Sequence, residues 1–133
     1  MKRLAIVLAT AALAGCGGPA ADLFEVKRSG ADPKANLTLL VSDDGSVTCN
    51  GTKHTIPNEL LLRARELTRR LSEQAELNLT LPAGPNSILN YQARMEAGTI
   101  AFADTSRPLP RSFADLTALT SDLAENVCGI ERG

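Results

Sequence analysis

Tryptophan is absent from this chain, and tyrosine and histidine occur once each. With Phe24, Tyr91, Phe102 and Phe113 as its whole aromatic complement, the chain lacks the stacking platform expected for carbohydrate or single-stranded nucleic acid. These four rings are expected in the core. A basic excess is missing too: 14 Lys and Arg stand against 15 Asp and Glu, and nothing favours a nucleic-acid partner. A serine or cysteine hydrolase needs a base to activate its nucleophile, usually histidine. The single candidate, His54, sits beside Lys53 in a predicted turn and is read as an exposed loop residue. Metal chemistry fares no better, because no Cys-x-x-Cys spacing is present and Asp43-Asp44-Gly45 lacks the length and spacing of a calcium loop. None of the ten glycines forms a phosphate-cradling run that leads into a helix. No catalytic residue, metal ligand or cofactor is therefore expected. Carboxylates alone stay open to chemistry, as a pair acting on a sugar: Asp104 at a strand end, with Glu96 or Asp115.

What is present begins at the N-terminus. Lys2 and Arg3 precede the uncharged stretch Leu4 to Ala14, a positive n-region followed by a short apolar h-region. That stretch falls short of the roughly 20 residues needed to span a bilayer. Leu13-Ala14-Gly15-Cys16 reads as the cleavage and lipidation box of a bacterial lipoprotein, with small residues directly before the cysteine and flexible Gly17-Gly18-Pro19 after it. The same residues also fit an ordinary secretory signal cut near Ala14 or Ala20, which would leave Cys16 incidental. On the lipoprotein reading, residues 1–15 are the signal, 16–22 the lipidated cysteine and its tether, and 23–133 a single domain. The chain is then exported and anchored to the membrane by lipid on Cys16. Removing Lys2 and Arg3 leaves 12 basic against 15 acidic residues, a net charge near minus three. The basic residues are scattered, so lipid rather than electrostatic attraction has to hold the protein at the bilayer.

With Cys16 acylated, Cys49 and Cys128 remain as an even pair in an oxidising compartment and are expected to be bridged. Three Asn-x-Thr triplets, at Asn36, Asn50 and Asn78, would matter only in a eukaryotic secretory pathway, against which the lipid box argues.

Along the domain, Leu23 to Arg28 alternates as a half-buried strand. Runs Leu37 to Ser42 and Ser46 to Cys49 flank Asp43-Asp44-Gly45 as a hairpin, which Asn50-Gly51 closes. Asn58 is a plausible N-cap for a helix whose apolar side carries Leu60, Ala64, Leu67, Leu71 and Ala75. Its other side pairs Glu59 with Arg63 and Glu66 with Arg70 at four-residue spacing. Arg63, Arg65, Arg69 and Arg70 resemble an anion site, but interleaved Glu66 and Glu73 favour a solvated face. Leu77 to Leu81 alternates briefly before the punctuated loop Pro82-Ala83-Gly84-Pro85-Asn86. A second hairpin runs from Leu89 to Met95 and from Thr99 to Thr105 around Glu96-Ala97-Gly98. Ser112 with Asp115 reads as a capping box for a last helix with stripe Leu116, Leu119, Leu123 and Val127, and Gly129 stands where a C-cap glycine belongs. The predicted fold is α+β: an antiparallel sheet of four to five strands with two amphipathic helices on one face.

From Leu23 onward this ordering resembles emfourin, a small protein inhibitor of thermolysin-like metalloproteases. The resemblance is carried by Arg28-Ser29-Gly30, the helix from Asn58, Tyr91 in a strand, Asp104 before a proline-containing loop and Leu116 in the last helix. It covers about 100 residues, and the chain departs from the family in lacking a glycine pair after the first strand and in its longer Asp43-Asp44-Gly45 hairpin. The whole also resembles small lipoproteins of high-GC bacteria. The expectation is a non-enzymatic, lipid-anchored domain that binds a protein partner through its surface loops, an exported protease being the partner the resemblance implies. The alternatives are a structural lipoprotein of the envelope and a small carboxylate-dependent hydrolase.

Overall fold

The computed structural model describes residues 22–130. The signal, Cys16, the tether up to residue 21, and residues 131–133 lie outside the described residues. Six strands form one antiparallel sheet: β1 (Asp22–Gly30), β2 (Leu37–Ser42), β3 (Ser46–Cys49), β4 (Thr52–Thr55), β5 (Leu89–Met95) and β6 (Gly98–Ala103). Two helices, α1 (Asn58–Glu76) and α2 (Arg111–Asn126), complete the α+β fold.

The strand order β4-β3-β2-β1-β5-β6 follows from local turn chemistry plus one long crossing. From β1 the chain meanders outward, with Gly45 and then Asn50-Gly51 making the tight turns; Asn50 and Gly51 take φ of 46° and 90°. That pair of positive φ values suits a two-residue hairpin loop, so Asn50-Gly51 opens a further strand instead of ending the sheet. This is why there are six strands where four to five were expected. It also corrects the reading of Lys53 and His54 as turn residues: both lie on the edge strand β4, His54 half-buried opposite Val47.

At the β4 edge, Ile56 donates its amide to the Gly45 carbonyl, which starts α1 beside the β2–β3 turn. Nineteen helical residues span about 28 Å. Six strands at ~4.8 Å spacing are about 24 Å wide. One helix therefore carries the chain back across the sheet, and β5 pairs with the free edge of β1. Beyond α1 the segment 79–81 adds one parallel bridge, Thr80 to Ala101, along the outer edge of β6.

Alternation sorts the strand faces. Phe24, Val26, Leu37, Leu39, Val41, Val47, Tyr91, Ala93, Ile100 and Phe102 point to the helices and are buried, while Lys27, Gln92 and Arg94 face the other way. The four rings do sit in this core. Phe102 stacks on Tyr91 with centroids 5.2 Å apart and meets Phe113 of α2 at 5.0 Å. Of α1, Leu61, Ala64, Leu67, Leu71 and Ala75 are buried. Leu60 is only half-buried, so the stripe is turned by one residue from its predicted start.

Both helix starts differ from expectation. Pro57 and Pro110 occupy the N-cap positions and no side chain caps either helix, so Asn58 already lies inside α1 and Ser112–Asp115 forms no capping box. A proline at the boundary suits the start, because its fixed φ favours the entry geometry and the amide it lacks is not needed there. Pro57 and Pro110 each supply the carbonyl that accepts the first helical amides, from Leu60 and Leu61 and from Phe113 and Ala114.

The far end of α2 is closed by Gly129, whose φ of 68° lets the Ile130 amide reach the Ala124 carbonyl. There the expected disulfide joins Cys128 to Cys49, Cα to Cα 6.1 Å, and ties the end of the helix layer to the end of β3. At the opposite side of the molecule Gly98 takes φ of 149° in the β5–β6 turn, and a Cβ there would lie 2.0 Å from the Ala75 carbonyl oxygen. Only glycine lets the hairpin approach the end of α1 so closely.

Candidate functional site

The end of the sheet where β1 finishes and β5 begins gathers three loops, 30–36, 82–88 and 104–110. Two of them are zipped together by side chains. Ser106, fully buried, accepts the Ala103 amide at 2.9 Å and donates its hydroxyl to the Pro82 carbonyl at 2.9 Å. Thr105 donates to the Gly84 carbonyl at 3.0 Å. The Asp104 carboxylate accepts the Ser87 hydroxyl at 2.9 Å and the Ile88 amide at 3.3 Å. Arg107, whose bond to Pro108 is cis, donates to the carbonyls of Asp104 and Ser106. The sequence marked both segments as loops through their prolines. The serine, threonine and aspartate contacts that join them span 16 to 24 residues and leave no local signal.

Of the carboxylates considered for sugar chemistry, Glu96 and Asp104 are kept apart. Glu96 and Asp104 flank opposite ends of the β5–β6 hairpin, whose register runs from Met95 with Gly98 to Asn90 with Ala103. Five residues of strand place those ends about 17 Å apart. A glycosidase pair stands roughly 5–9.5 Å apart. Asp115 is taken up by an ion pair with Arg70 of α1.

The arginines of α1 are drawn to carboxylates on other elements. Arg63 pairs with Asp122 and Arg70 with Asp115, both on α2, while Arg65 pairs with Asp43 in the β2–β3 turn at 2.5 Å. Arg69 pairs with Glu66. The expected Glu59–Arg63 and Glu66–Arg70 pairs are thus replaced by contacts to α2. The side chains of the three pairs that leave α1 are between about 38 and 44 % exposed, and Arg69 and Glu66 are more so, so each pair contributes little by itself. In the same turn, the Ser46 hydroxyl and amide and the nearby Lys53 ammonium hold the Asp44 carboxyl below the ordinary aspartate range.

Arg28 is buried on the helix-facing side of β1 and donates Nε to the Ala35 carbonyl at 2.9 Å, which fixes the short 3₁₀ turn Pro33–Ala35 against the sheet. The solvent face of the sheet holds a shallow groove of about 460 Å³ between Lys27, Asn90, Gln92, Thr80 and Ala83. Among the described residues no group of three His, Cys, Asp or Glu side chains converges as a metal site, and no helix is long and apolar enough to cross a membrane. No protein-family model, curated protein or solved structure matches the chain.

Proposed function

We propose that this chain is a membrane-anchored lipoprotein whose single domain binds a protein partner, an exported protease among the candidates, rather than turning over a substrate. The observation that carries the reading is the zipped loop pair. Asp104, Thr105 and Ser106 hold loop 82–88 in one conformation without filling any cleft with reactive groups. Fixing a loop before an encounter lowers the entropy lost on association, which is how an interaction surface gains affinity without added area. Rigid scaffolds presenting surface loops are a common form of binding site. The sequence before Asp22 supports the anchor, through Lys2 and Arg3, the h-region and the box ending at Cys16.

Two experiments test the parts separately. Labelled palmitate should enter the wild-type chain in its native cell and be lost in Cys16→Ser; an unlabelled wild-type chain refutes the anchor. For the protease, residues 20–133 should slow a thermolysin-like enzyme in a stoichiometric titration. Unchanged proteolysis at excess protein removes inhibition from the proposal. A glycosidase or esterase activity abolished by Asp104→Asn would favour an enzyme instead.

A further inference from the structure

We propose that the loop end of the domain is its docking surface, with Ile88 as the anchor side chain, and that it takes a protein presenting an apolar recess rimmed by carboxylates. This rests on the reading that the domain binds a protein, and adds where it binds and what chemistry it recognises.

Three large apolar side chains are strongly exposed among the described residues: Leu62, Leu77 and Ile88. A single exposed apolar residue needs no explanation by itself. What distinguishes Ile88, at 67 % exposure, is that it lies in a loop, outside any helix, and still has its backbone fixed on both sides by contacts from other segments. On one side the Asp104 carboxylate holds its amide. On the other its carbonyl lies against Gly30, where a Cβ would come within 2.5 Å of that oxygen and 3.0 Å of the Ala35 Cβ. Leu62 lies within α1, and Leu77 follows its end with its amide bonded to the Ala75 carbonyl, so the helix alone accounts for the order of both.

Charge supplies the second, independent argument. Lys34 adjoins Ala35 on one flank of Ile88, and Arg107 lies on the other through its bonds to the Asp104 and Ser106 carbonyls. Among the described residues neither cation has a carboxylate within ion-pair distance. Arg111, at the start of α2, is unpaired in the same sense. The three loops themselves carry two carboxylates, Asp32 and Asp104, and both are engaged by backbone amides, of Lys34 and Ile88. The other end is acidic: Asp22 starts β1, Glu59 and Glu76 stand at the two ends of α1, and Glu96 turns the β5–β6 hairpin. None of these four has a cationic partner among the described residues. A partner with a negative rim is drawn to the loop end and repelled from the end at which the chain enters the domain. A framed apolar side chain between unpaired cations fits an apolar recess with acidic edges.

The test uses the full chain in its native cell, with the photoreactive residue p-benzoylphenylalanine placed in turn at positions 88, 62 and 77. Irradiation should give one discrete protein adduct from position 88 and none from 62 or 77. In the chain labelled at 88, Lys34→Glu combined with Arg107→Glu should lower the adduct yield about tenfold. Both substituted side chains are exposed and neither forms an ion pair, but Arg107 gives up its two bonds to carbonyls. Arg107→Gln with Lys34→Gln, which removes the charges without reversing them, should therefore lower the yield in the same direction, and amide exchange at Ile88 unchanged in both variants shows that the loop frame is kept. A protein adduct from 62 or 77 but not from 88 overturns the docking surface while leaving a protein-binding function standing. No protein adduct from any position overturns both. An adduct from 88 that survives the double charge reversal removes the acidic rim, and an adduct with lipid alone replaces the protein by the membrane.

Discussion

Breaking the bridge between Cys49 and Cys128 should destabilise the whole domain rather than loosen the end of α2. The two cysteines are 79 residues apart, so the closed loop takes in β4, α1, β5, β6 and α2. Restricting an unfolded chain by a loop of that length corresponds to about 4 kcal/mol at room temperature. Ordinary domains unfold with roughly 5–15 kcal/mol, so the loss is a large part of the total. For a domain of this size it corresponds to a melting temperature lower by about 15 °C. The assay is urea unfolding of the domain as Cys49→Ala with Cys128→Ala, beside the unsubstituted protein with and without reductant. Cys49 is buried and Cys128 half-buried, so removing the sulfurs adds a small packing loss that reduction alone does not. Loop closure requires the two perturbations to agree within about 1 kcal/mol, with the urea dependence steepening slightly as the unfolded chain expands. A loss below about 1 kcal/mol on reduction, with faster amide exchange confined to Val127, Cys128 and Ile130, would refute the reasoning. The bridge would then be a local clamp.

Gly98→Ala should cost about 3 kcal/mol in unfolding free energy, because the new Cβ meets the Ala75 carbonyl oxygen at 2.0 Å and the φ of 149° disfavours any side chain. A double-mutant cycle on Arg70 and Asp115 should return about 0.5 kcal/mol that fades with added salt; a coupling unaffected by 1 M salt would contradict the partial exposure of the pair. Asp44 has a folded pKa below its unfolded one, so its contribution is present at neutral pH and is lost as the pH falls through that lowered value. NMR titration should follow its carboxyl below the ordinary aspartate range in the wild type and move back toward that range in Ser46→Ala. Asp104→Ala should cost about 1 kcal/mol and speed amide exchange at Ile88 by tenfold or more, since the residue accepts from that amide; unchanged exchange would mean that the loop is held from elsewhere.

Legibility in the sequence followed the range of the interaction. Period-two alternation placed β1, β2, β3, β5 and β6, and the 3.6-residue stripe placed both helices, because a buried face repeats over several turns or strand residues and survives local noise. Thr52-Lys53-His54-Thr55 has no apolar alternation to read, being an edge strand with mostly exposed side chains. Its only signal was Asn50-Gly51, which marks a hairpin turn equally well whether a strand or a loop follows. Helix boundaries misled for a related reason. Asn58 and Ser112 are good capping residue types, but Pro57, one residue before Asn58, and Pro110, two before Ser112, already set the entry geometry and take the cap positions.

Side-chain partners lay further out of reach, and the pairing of the helices shows why. Arg63 and Arg70 are seven residues apart on α1, and their partners Asp122 and Asp115 are seven apart on α2 in the reverse direction. Seven residues are close to two helical turns, so two antiparallel helices present these four groups as two rungs of one seam. Read on α1 alone, each arginine had an acid four residues earlier and an apparent partner. The exposed i,i+4 pair and the seam pair are both small in energy, and the choice between them is made by how the apolar stripes seat both helices on the sheet. The same holds at the loop end, where Asp104 had the appearance of a reactive carboxylate until Ser87 and Ile88 were brought to it by the pairing of β5 with β1 and β6. Polar roles here are consequences of the apolar packing, so they become readable only once the sheet order is known.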